Sequence, residues 1–206
     1  MSAERAPSRR RKSFLSVWLL GYVNPAKMVR ELADRPAPHW GLYAQSLRAL
    51  LDSLLLYLPL SMMGRVPSTP SYLTFLPTEK YYQSLVFLAP AFLLGQWLLL
   101  GVVTHVILRL ARHPSDVDQI LNVTGMAALV VGAFLILWDW LWIGLGWEVP
   151  AALGISHLIL DVWGVAIVAL GFNRTMGVPA WLGASLALLM IALGVPLAAL
   201  FMRAPF

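Results

Sequence analysis

Arg48, Asp52, His105, Asp139, His157 and Asp161 stand inside long hydrophobic stretches where a chain of this kind rarely carries an ionisable group. At membrane depth such a group costs on the order of 2.5–3.5 kcal/mol unless it is paired or faces protein or water, so each position is a candidate for function. A carboxylate beside an imidazole can hold a proton or share one. An arginine four residues before an aspartate can pair with it along one helix face. His105 follows Gly101 by one helical turn, a spacing typical of a packed, hydrogen-bonded histidine. A metal centre needs a full ligand set in a defined geometry, and scattered Asp and His residues do not supply one, so no metal and no cofactor is expected.

The spacing of neighbouring residues says where these groups point. Gly125, Ala128, Gly132, Leu135 and Asp139 recur at alternating steps of three and four, as do Gly154, His157, Asp161, Gly164, Val168 and Gly171. Each set is one face of a helix. Small residues let helix backbones approach closely in lipid, so Gly125, Gly132, Gly154, Gly164 and, later in the chain, Gly183 are expected at helix-packing contacts. The ionisable groups share those faces and are expected to look inward. Asp139 and His157 lie equally far from Glu148 in sequence, which sets them level across a helical hairpin. Either Asp139 or Asp161 is therefore expected close enough to His157 for a direct or water-bridged hydrogen bond. The face Gly41, Gln45, Arg48, Asp52 places Arg48 one turn from Asp52. Structural locking of the bundle and a role in moving a proton or ion are both open on this pattern.

The elements that must position these groups follow from composition. The chain has 206 residues, 59% of them hydrophobic and 12% charged, no cysteine, and a mean hydropathy of +0.73. A soluble domain carries roughly 25% charged residues. An all-α polytopic membrane protein is expected, because only helices and closed barrels satisfy their backbones in lipid and these runs exceed barrel strands. Residues 1–39 read as a basic tail and a short N-terminal amphipathic, interfacial segment. Within it Trp18 and Tyr22 are placed at the membrane boundary, and Asn24-Pro25 opens a second short helix that ends at Pro36 and Pro38. Residues 40–206 form the membrane domain, with five transmembrane helices at about 40–62, 81–110, 117–146, 150–172 and 179–202. Pro90 and Pro196 fall inside spans, and Ser115 is the expected N-cap of the third.

Charge sets the orientation. Lysines and arginines gather before residue 40 and at Arg109, Arg112 and Arg174, against only Arg65, Lys80 and Arg203 on the other side. The positive-inside rule then puts the N-terminus in the cytoplasm and the C-terminus outside a cell's inner (plasma) membrane. Trp138, Trp140, Trp142 and Trp147 are expected as an aromatic belt at the outer surface. The net charge of +5 concerns headgroups and topology, and no nucleic-acid partner is implied. No phosphate loop, GxSxG, HExxH or CxxC string is present.

Between about Asn24 and Leu200 the chain resembles the Yip1 domain family. The likeness rests on Asn24-Pro25 before the first span, on Asn122-Val123-Thr124-Gly125-Met126-Ala127, on Leu160-Asp161-Val162-Trp163-Gly164, and on Gly171-Phe172-Asn173-Arg174-Thr175-Met176-Gly177-Val178-Pro179-Ala180-Trp181. The resemblance implies a five-span, non-enzymatic integral membrane protein that organises or accompanies other membrane components. Its partners would be the bilayer and either another membrane protein or a second copy of the chain. Eukaryotic members engage Rab-type GTPases; with only residues 1–39 ahead of the first span, this chain is similar to the short prokaryotic members and GTPase binding is not carried over. The alternative expectation is a small transporter or proton or ion conductor using the buried Asp, His and Arg groups. A membrane enzyme with a His/Asp metal centre stands third.

Overall fold

Two short helices and five long ones account for most of the chain. The computed structural model describes residues 12–34, 39–68, 72–73, 75–201 and 203. Most of the basic tail, Pro36 and Pro38, Pro70 in the longest loop, and Met202 at the expected end of the last span lie outside the described residues. Helix α1 is Phe14–Val23, α2 is Pro25–Ala33, α3 runs over residues 39–62, α4 is Tyr81–Leu110, α5 Val117–Leu145, α6 Pro150–Met176 and α7 Ala180–Phe201. No strand occurs among the described residues. Of these helices, α4 to α7 are long and apolar enough to cross a membrane. α3 falls outside that set: it carries His39, Gln45, Arg48 and Asp52, and its regular α-geometry is interrupted.

The interruption has a local cause. After Asp52 the helix widens into a π turn over Ser53–Tyr57, closed by the Leu58 amide on the Ser53 carbonyl, and α-geometry resumes at Leu58. Pro59 follows at once and has no N–H to give the Leu55 carbonyl four residues back. That carbonyl is taken by the Trp140 indole of α5 at 2.7 Å. A side chain from a neighbouring helix thus closes the bond that proline leaves open, as backbone groups in lipid require.

Caps and glycines set the other ends. Ser13 caps α1 by accepting from the Ser16 amide, and Asn24 caps α2 by accepting from the Lys27 amide with Pro25 in the first turn. Asp116 caps α5, so the expectation for Ser115 is corrected: its hydroxyl is turned to His105 instead. α6 continues one turn past the expected residue 172, to Met176, and stops at Gly177 in a left-handed conformation (φ 69°).

α5 is the central post. Its Gly125 meets Gly41 of α3 backbone to backbone: a Cβ on Gly125 would lie 2.5 Å from the Gly41 carbonyl oxygen. Beside that contact the Gly41 amide, an open donor in the first turn of α3, is accepted by Asn122 at 2.8 Å. Thr124 accepts from the Trp97 indole of α4 at 3.1 Å. Gly183 brings α7 onto Ala169 of α6, and Gly164 touches Val131. Gly154 departs from the expectation. It is exposed, a Cβ there would meet nothing, and it opens onto a cavity.

Two further expectations shift. α1 and α2 form an antiparallel pair, tied at one end by Lys12 and Glu31 at 3.0 Å. Gly21 at the other end lets α1 pack on Val130, and Tyr22 sits among Val130, Val131, Phe134, Leu160 and Trp163. Tyr22 thus stands against the middle turns of α5 and α6, where Gly21 removes the steric barrier to the approach of α1. The four tryptophans expected to form a belt also do not all face outward. Trp138 donates to Ser156 and Trp140 to Leu55, Trp142 is buried, and Trp147 alone of the four is exposed. Indole N–H groups near protein acceptors are drawn to them.

Candidate functional site

Arg48 extends from α3 into the space that Gly132 leaves on α5. A Cβ on Gly132 would lie 1.8 Å from Nε of Arg48. From there Nη1 donates to Asp52 Oδ1 at 2.5 Å and to the Gly132 carbonyl at 2.7 Å. The in-helix pair is the i, i+4 arrangement that the sequence suggests, and the second bond ties it to a different helix. Asp52 is 2% exposed, and its other oxygen, Oδ2, is buried with no hydrogen-bond partner among the described residues.

On the far side of Asp52, Asp139 and His157 meet across the α5–α6 hairpin. His157 Nε2 and Asp139 Oδ1 are 2.8 Å apart, with Asp139 buried and His157 half-buried. Counting outward from Glu148 puts the two level, and the inward faces of both helices bring them together. Arg48, Asp52, Asp139 and His157 line a cavity of about 260 Å³ together with a second arginine, Arg203, and apolar residues such as Leu56, Leu135 and Leu153. This cavity gathers four of the six ionisable candidates.

Asp161 and His105 lie apart from it. Asp161, one turn beyond His157 on α6, borders a second cavity on the other side of Arg48. His105 is near the end of α4, where Nδ1 is 2.8 Å from the Ser115 hydroxyl, and it touches none of the other candidates. Among the described residues, no three His, Asp or Glu side chains are placed to hold a metal ion. The arrangement can hold and share protons within the Asp139–His157 pair and can neutralise Arg48 with Asp52. Burying such a pair is close to neutral for stability, whereas removing one partner strands a charge and is strongly destabilising.

Several contributors escape sequence reasoning. Asn122 and Thr124 are uncharged and carry no chemical motif, yet both make cross-helix bonds. Trp140 looks like a boundary residue, and the one available signal for its role is Pro59, which announces an unmet carbonyl. A model of the Yip1 domain family matches residues 20–201. No curated protein and no solved structure matches the chain.

Proposed function

The chain belongs to the Yip1 domain family, and from that premise we propose that it is a multi-pass inner-membrane protein that accompanies or organises other membrane components, without catalysing a reaction. The observation that carries this reading is where the charged groups spend themselves. Arg48 bonds its own helix and the backbone of α5, and His157 bonds Asp139 across the hairpin. These contacts hold helices in register, as a scaffold requires.

In this reading α3 is a fifth span, carried in the bilayer by the eight leucines between Leu47 and Leu60 and by the pairing of Arg48 with Asp52. Residues 40–206 form the membrane domain and residues 1–39 stay with the cytoplasmic leaflet. The N-terminus is cytoplasmic and the C-terminus outside, on the lysine and arginine distribution. The outer helices leave room for company. Within the chain, α5 buries 67% of its most apolar window, against 17% for α6 and 11% for α7. Those faces meet lipid, another membrane protein or a second copy.

A photoreactive amino acid at Ile159 of α6 or Leu189 of α7, both exposed, tests the proposal in intact membranes. Discrete protein adducts, identified by mass spectrometry as one partner or as the chain itself, are the expected result. Adducts with lipid alone at both positions would refute it.

A further inference from the structure

The second cavity, of about 320 Å³, lies among cross-helix contacts and is bordered by Arg48 with Gly132 and by Trp97 with Thr124. Its walls are apolar, with Leu93 and Trp97 of α4, Val131 of α5, and Ile191 and Val195 of α7. Polar groups reach it from four helices: Gln45 and Arg48, Gln96, Thr124, and Asp161.

Those groups hold spare acceptors, and the one cation among them, Arg48, is already paired with Asp52. The Gln45 amide donates from Nε2 to the Leu93 carbonyl at 3.1 Å. A carbonyl can only accept, so the amide is fixed with Oε1 turned away, and Oε1 is buried without a partner in a residue 4% exposed. Gln96 is fixed in the same way on the Gly194 carbonyl at 2.9 Å. Asp161 makes no hydrogen bond and no ion pair among the described residues, while Arg48 is engaged by Asp52 and Gly132. Buried polar atoms are ordinarily hydrogen-bonded, so the orphaned amide oxygen of Gln45 calls for a donor, and the half-buried Asp161 carboxylate lies on the same cavity. The volume lies within the ~300–1,000 Å³ of small-molecule sites. A bare metal ion would leave the hydrocarbon walls uncovered.

We propose that this cavity binds a primary alkylammonium group, with the charge paired to Asp161, an N–H given to Gln45 Oε1, and the alkyl chain lying along α4 and α7. The site is independent of the scaffold reading and would persist if that reading failed.

The test uses the full-length protein in maltoside micelles. Calorimetric titration with n-hexylammonium is compared with n-hexanol, the uncharged match, and with potassium. In parallel, modification of Asp161 by dicyclohexylcarbodiimide, a reagent for carboxyl groups in apolar surroundings, is followed by peptide mass spectrometry with and without hexylammonium. Expected are saturable hexylammonium binding, roughly tenfold or more tighter than hexanol, a similar loss in Asp161→Asn, and protection of Asp161 from the reagent. No saturable binding, equal binding of hexanol, equal protection by potassium, or unchanged affinity in Asp161→Asn would overturn the proposal. The wild-type comparisons decide the matter if the variant fails to fold. Nanodiscs identify the source: protection in phosphatidylethanolamine without added amine, and none in phosphatidylcholine, assigns a lipid headgroup, whereas protection only on adding hexylammonium assigns a free amine.

Discussion

Arg48 has two acceptors and one neighbour that makes room for it, and each can be removed separately. Arg48→Ala strands the buried Asp52 carboxylate and should cost about 3–5 kcal/mol, read as loss of membrane-assembled protein. Arg48→Leu combined with Asp52→Leu removes both charges and should restore much of that level. A double variant as depleted as the single would show that the pair is not what holds α3 in place. Gly132→Ala attacks the same contact from the other side. Its methyl group falls where Nε of Arg48 now lies, so a loss of about 1–3 kcal/mol is expected in a denaturation titration in detergent. Gly154→Ala, which meets open space, is the matched control and should be close to neutral.

At the scale of elements, the joint between α3 and α5 rests on an indole doing the work of a missing amide. Trp140→Phe leaves the Leu55 carbonyl unmet and should destabilise by about 1–3 kcal/mol, measured in the same titration. Pro59→Ala returns an N–H to the chain and should recover part of the loss in the double variant. Additive losses would mean that Trp140 acts through packing and not through Leu55. The elements also show what a sequence can and cannot disclose. The limits of α4, α5 and α7 follow from apolar runs punctuated by proline, glycine and charge. Asp139 and His157 could be matched by counting because they flank one turn. The placement of α1 could not: ten apolar residues look alike lying on a surface or packed along a helix, and the difference is Gly21 against Val130. Nor could the bonds of Asn122, Thr124 and Trp140, which join residues on separate helices whose rotation no local pattern fixes.

For the whole molecule, orientation is the sharpest expectation. Reporter fusions after Arg112 and Arg174 should report the cytoplasm, and fusions within residues 64–80 or after Arg203 the outside. A cytoplasmic C-terminus would mean that α3 does not cross, since α4 to α7 alone return the chain to the side it started from. Such a result would remove α3 as a span without touching the Arg48–Asp52 bond, which lies within one helix.

The order of synthesis gives the contact between Arg48 and Gly132 a further meaning. The two residues are 84 positions apart, so at roughly 5–20 residues per second α3 waits several seconds before its partner on α5 has been made. During that interval Asp52 is the partner already at hand, one turn along the same helix. Where α3 is read as a fifth span, a nascent segment that neutralises itself would enter the insertion machinery as an almost uncharged rod and pass to α5 when Gly132 arrives to receive it. Shuffling Asp52 to another helix would keep the finished charge balance and still leave the newborn one exposed.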